Sequence, residues 1–203
     1  EWLISRDPKT GLIPEGIRSQ ELAAMRNMPI RENGIFNSPL VNNLYTAAGP
    51  TQNGGRTRTL VFDKRYNGTT NRVIIAGGIT GGIFRSTDAG STWTFVHPAN
   101  QVRSVSTLAQ DTRTGFENTW YAGTGEPLGA SAGYPSGFIY GEGLFKSTDN
   151  GVSWSKLTST NPPDITGFSS QWSFVHKLAV HPVTGDVYAA AHRRVYRSAD
   201  GGN

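Results

Sequence analysis

The chain has 203 residues, of which 36% are hydrophobic and 17% charged, with 25 glycines, no cysteine and a net charge of +4. The lack of cysteine excludes a disulfide framework, a thiol nucleophile and a thiolate metal site. Basic residues cluster only at Arg56/Arg58 and Arg193/Arg194, which does not make the positive stripe a nucleic-acid binder needs, and no apolar run approaches the roughly 20 residues of a membrane span.

The chain opens on Glu-Trp-Leu-Ile-Ser-Arg, without the basic and then apolar pattern of a signal peptide. Residues 1–42 read as an N-terminal arm. Pro14 to Asn27 contains good helix formers, with proline at the start and asparagine at the end. Ile17, Leu22 and Met25 give that short helix a narrow apolar stripe.

From residue 43 the texture changes to short alternating strands separated by Gly, Asn, Asp and Ser. The first unit, residues 43–99, predicts strands at Arg58–Asp63, Arg72–Ala76 and Gly82–Arg85, followed by Ser86-Thr-Asp-Ala-Gly-Ser-Thr-Trp93. The second, residues 100–160, predicts strands at Ser104–Asp111, Thr119–Ala122 and Gly143–Lys146, followed by Ser147-Thr-Asp-Asn-Gly-Val-Ser-Trp154. Pro162-Pro163 punctuates the join to the third unit, residues 171–203. There, strands at Val175–His181, Asp186–Ala190 and Arg194–Arg197 lead into Ser198-Ala-Asp-Gly-Gly-Asn203. Strand, turn, strand, loop, strand, box, strand is the plan of a propeller blade. The expectation is an all-β fold: a partial β-propeller of about three four-stranded blades from a larger one, residues 43–203, preceded by the helical arm. Three blades do not close a ring, so a longer chain or a partner covering the last blade is expected.

The box has a physical reason to recur. Asp88, Asp149 and Asp200 can accept hydrogen bonds from turn amides. Gly90, Gly151 and Gly202 supply backbone angles that a β-carbon penalises. Trp93 and Trp154 can fold back over the turn. Ser86, Ser147 and Ser198 open each box.

Ser-Thr-Asp-x-Gly-x-Thr/Ser-Trp resembles the Asp-box, or bacterial neuraminidase repeat, of sialidase, xyloglucanase and sortilin-like propellers. Gly49–Leu60 together with Ala76–Gly90 resembles large secreted proteins of the Bacteroidetes type that use type IX secretion. The resemblance spans about residues 45–203 and implies a secreted or cell-surface location. It also implies that the boxes lie away from the ligand-binding end. Xyloglucanase-type relatives imply a catalytic Asp near position 79, where this chain has Ile79. The arginine signature of sialidases is also missing. No catalytic residue is therefore assigned.

The candidate site is the insertion in the second unit, residues 123–143. Tyr134, Phe138 and Tyr140 can stack on sugar rings, while Glu126 and Glu142 can bond hydroxyls or ligate calcium. The same residues can instead fold back on the blade and be buried. No zinc spacing is found among the four histidines. Three functions follow: a propeller module binding polysaccharide or a surface protein, as type IX-like cargo; a glycoside hydrolase with its acids elsewhere; or a component of a surface or export assembly that packs against secretion-machinery or outer-membrane partners.

Overall fold

The computed structural model describes residues 56–127 and 138–202, all within the unit Ala47–Asn203. The predicted arm helix and Tyr134 lie outside the described residues. The fold is all-β. Strands β1 (Thr57–Phe62), β2 (Ile74–Gly78), β3 (Gly82–Ser86) and β4 (Thr94–Phe95) form one antiparallel sheet in chain order. Strands β5 (Val105–Gln110), β6 (Trp120–Thr124), β7 (Leu144–Ser147) and β8 (Ser155–Lys156) repeat it. The third sheet holds β9 (Val175–Val180), β10 (Val187–Ala191) and β11 (Arg194–Ser198), three strands where a full blade has four. The fold is that of a partial propeller.

Register makes the blades equivalent residue by residue. The box serine pairs with the first residue of the middle strand each time: Ser86 with Ile74, Ser147 with Trp120, Ser198 with Val187. In this frame Gly77 and Gly123 occupy the same position. A β-carbon at Gly77 would collide with Val105 of the next blade, and one at Gly123 with Val175. Glycine here lets successive blades approach closely.

The core lies in the seams between blades. The first seam sets Val73, Ile75 and Ile83 against Val105, Leu108, Trp120, Phe145 and Trp154. Trp120, Phe145 and Val105 are fully buried, each contributing about 1.5–3 kcal/mol. The second seam sets Tyr121 and Leu144 against Val175, Leu178, Val187 and Ala189. A cavity of about 130 Å³ remains there, lined mainly by Leu144, Trp172, Val187, Ala189 and Tyr196.

Each box is a closed hydrogen-bond circuit. Ser86 Oγ donates to Asp88 at 2.8 Å and accepts from the Gly90 amide at 2.8 Å. Asp88 in turn accepts from the amide and hydroxyl of Thr92, at 2.8 and 2.6 Å. Ser147, Asp149, Gly151 and Ser153 repeat the pattern. Ser198, Asp200 and Gly202 repeat its first half. The glycines have φ of 89°, 78° and 95°, and the residues before them, Ala89, Asn150 and Gly201, are left-handed too. The indoles of Trp93 and Trp154 donate to the Gly90 and Gly151 carbonyls at 3.0 and 3.2 Å. Trp154 is 7% exposed, whereas Trp93 is half-buried.

The boxes also join blades, which their sequence pattern does not reveal. Arg85 Nε reaches across to the Asn150 carbonyl at 2.8 Å. Its equivalent in the next blade, Lys146, reaches the Gly201 carbonyl at 2.8 Å. A second stitch lies at the same end. Asp63 holds Arg65, which donates to Asn118 at 2.9 Å, and Asp111 holds Arg113, which donates to the Thr184 carbonyl at 3.0 Å.

Candidate functional site

The topology sorts the loops into two sets. Box turns and the β1–β2, β5–β6 and β9–β10 turns share one end. The β2–β3, β6–β7 and β10–β11 connections and the links between blades share the other, the loop end. Of the sequence-predicted ligand residues, Glu126, Phe138, Tyr140 and Glu142 fall at the loop end.

Glu126 follows β6 and forms a two-residue bridge with Ile139: its amide donates to the Ile139 carbonyl at 2.8 Å, and its carbonyl accepts the Ile139 amide at 3.0 Å. This fixes the returning half of the insertion, with Phe138 and Tyr140 on either side of the bridged residue. The Glu126 side chain is 2% exposed; one of its oxygens accepts a hydrogen bond from Arg56 Nη2 at 3.1 Å and forms an ion pair with Arg58 Nε at 3.3 Å. Glu142 is buried as well, accepting the Val102 amide at 3.2 Å while its own amide donates to Thr124 Oγ1 at 2.8 Å. The expectation that these two carboxylates face a ligand is therefore corrected. Both are internal, one anchoring arginines and the other the link into β5, because burial of a carboxylate demands such partners. Among the described residues no group of three or more His, Asp or Glu side chains could hold a metal.

The aromatics behave differently. Phe174, 5% exposed, is the floor of a cluster. Phe138 lies 6.1 Å from it, Tyr140 5.3 Å, and Phe168 stacks on it at 6.0 Å with an interplanar angle of 19°. His192 closes the group, 5.1 Å from Phe168 and 5.8 Å from Phe174, with His176 at 6.2 Å beyond. Phe138 is 48% and Phe168 51% exposed, while Tyr140 and His192 are half-buried. Phe138 and Tyr140 thus pack on the blade through Phe174 while part of their ring surface stays exposed. Burial lowers the His192 pKa, and the charges of Arg193 and His176 lower it further, which favours the neutral imidazole, a form that can both donate and accept. Phe168 and His192 escaped the sequence reading. They lie in the 161–174 link and the β10–β11 turn, distant in sequence from the insertion, and the one cue was an aromatic beside Gly167.

Ile79, where xyloglucanase-type relatives imply an acid, is buried, and its amide donates to the Arg56 carbonyl at 3.0 Å. The box aspartates and Asp63 serve the opposite end. Burial pushes the Asp63 carboxyl up, but hydrogen bonds from Arg65, Gln110 and Asn71 outweigh it and hold the group well below the ordinary range.

No family model matches the sequence, and no curated protein matches it either. Solved structures do match. A GH74 xyloglucanase from Xanthomonas campestris is 27% identical over 73% of this chain and 20% of that one, with a TM-score of 0.50. The GH74 enzyme of Niastella koreensis is 18% identical over 73% of this chain and 21% of that one, TM-score 0.49. YCF48 bound to D1 peptide is 15% identical over 73% of this chain and 38% of that one, TM-score 0.46. The chain spans about a fifth of the length of the GH74 enzymes it resembles. No helix among the described residues is long and apolar enough to cross a membrane.

Proposed function

We propose that this chain is part of a secreted or cell-surface propeller module that binds polysaccharide at its loop end, with type IX export as its route. The observation that carries the reading is the cluster of Phe138, Tyr140, Phe168 and His192 on a buried Phe174. Exposed rings held on a rigid floor offer flat apolar faces to the C–H face of a sugar at little entropic cost. The neutral imidazole beside them supplies a donor and an acceptor.

A glycoside hydrolase is the second reading, favoured by the 27% identity to a GH74 xyloglucanase. It requires two carboxylates within about 5–10 Å across a cleft. At this end Glu126 and Glu142 are buried in other service and Asp164 is the one exposed acid described, so at least one of the pair would have to come from outside the described residues.

The test is calorimetry of the chain with xyloglucan and related soluble polysaccharides, alongside release of reducing sugar. Binding without turnover, weakened at least 5-fold by Phe168→Ala with thermal stability retained, is the expected result. No binding to any polysaccharide overturns the proposal, and turnover replaces it with the hydrolase.

A further inference from the structure

We infer that the polysaccharide bound at the loop end is acidic, and that Arg56 and Arg58 take a carboxylate of a sugar unit beside the aromatic cluster. This rests on the polysaccharide reading above and adds a subsite and a charge to it.

Stoichiometry is the first observation. Elsewhere among the described ion pairs each carboxylate is matched by one arginine: Asp63 by Arg65, Asp111 by Arg113, Asp186 by Arg197. Glu126 alone takes two, and both bind the same oxygen. The group keeps one positive charge in excess. Its arginine side chains are about half exposed, 49% and 48%, beside a glutamate side chain that is 2% exposed. Arg56 commits Nη2 and Arg58 commits Nε to Glu126, so each fork presents further N–H donors outward. A buried anion holding two forks in place removes much of the rotamer entropy that a flexible arginine loses on binding.

The second observation is the sorting of charge by the fold. In sequence, basic and acidic residues are interspersed. In three dimensions Asp63, Asp88, Asp111, Asp149, Asp186 and Asp200 all lie at the box end. Lys64, Arg65, Arg72, Arg113 and Arg197 share that end and offset those acids, whereas Arg56, Arg58, Arg103, Arg193 and Arg194 lie at the loop end with fewer acids to answer them. The acids described at the loop end are the buried Glu126 and Glu142, and Asp164, whose carboxylate accepts from Thr166. A field of one sign at one end attracts ligands of the other.

The third observation is that one residue places both halves of the site. The Glu126 side chain holds the arginine pair, and its backbone bridge to Ile139 holds the segment bearing Phe138 and Tyr140. The ring faces and the guanidiniums are thus fixed to the same point of the fold. A uronate-containing chain matches the pair, since one sugar face stacks while a planar carboxylate meets a planar fork. Sulfate esters share the negative charge but lack that planarity.

The test measures affinity of the unmodified chain for oligogalacturonate, its methyl ester, a sulfated dextran and a neutral xyloglucan oligosaccharide, at 50 and 500 mM salt. The expected result is at least about 10-fold tighter binding of the acid than of its ester at low salt, a preference lost at high salt. Arg56→Gln with Arg58→Gln should erase the preference and leave the neutral oligosaccharide within about 2-fold. Equal affinity for acid and ester overturns the inference while leaving the polysaccharide reading intact. A sulfated dextran binding as tightly as the acid overturns the carboxylate assignment, and no binding to any glycan overturns both proposals. The ester comparison needs no variant, so it decides the matter even if the double substitution fails to fold.

Discussion

At the box end, each described carboxylate is answered within its own turn, by its own blade or by the neighbouring blade. Asp88 is brought down to about 2 by the hydroxyl and amide of Thr92 and the hydroxyl of Ser86. At the loop end, the buried acids turn inward, and aromatic rings and guanidiniums are left facing out. The same strands therefore run from an end whose hydrogen bonds are spent on holding blades together to one whose donors and ring faces remain open. On the proposed reading, stability and recognition are separated along the strand direction. Substitutions at the two ends should accordingly change different measurements.

The largest effect is expected at the first seam. Trp154→Ala removes an indole that is 7% exposed and packed against the first blade, and should cost about 3–5 kcal/mol. Trp93→Ala, at the equivalent but half-buried position, should cost clearly less. Denaturant midpoints of the two variants compare them directly, and equal losses would refute the assignment of the core to the seam between blades.

Next comes His97, in the link between the first two blades. It is 5% exposed, its ring lies 5.6 Å from Phe145, and neither ring nitrogen makes a well-formed hydrogen bond, the Val102 and Gln101 backbone offering only partial compensation. Burial pulls its pKa down to about 4, and Arg103 adds to the shift. The folded state thus disfavours the protonated ring. Its contribution to stability is complete above pH 6.5 and declines as pH falls from there toward 4, up to about 3 kcal/mol. His97→Phe should flatten that part of the stability–pH curve. An unchanged slope would show that other groups carry it.

The smallest effect separates the ends most sharply. Asp149→Ala should cost about 1 kcal/mol, since the Val152 and Ser153 amides it accepts can turn to water. Glycan affinity should stay within about 2-fold, because the box faces away from the rings. A large loss of affinity without a loss of stability would break the division proposed here.

Much of the fold was legible because each unit repeats a local solution. Alternating strands at Val105–Gln110 or Val187–Ala191 and the Ser–Asp–Gly–Trp turn are set by interactions within a few residues. The third box could be read even without its tryptophan. Less of the site was legible. Phe138 and Tyr140 could be singled out as candidates because they lie in an insertion rich in glycine and aromatic residues. Phe168 and His192 were not, because nothing near them in sequence says that they meet Phe174. Glu126 and Glu142 were misjudged for a related reason: an acid in a loop looks exposed until its partners, Arg56 and Arg58 or the Val102 amide, are brought to it.

The sequence by itself determined the unit and its turn chemistry, because these depend on backbone angles and hydrogen bonds within a few residues. Only the tertiary structure decided which charges gather at which end, which acid is buried under two arginines, and which rings share a floor. Those outcomes depend on pairing residues 70 positions apart, as between Arg56 and Glu126, and no local pattern encodes that distance.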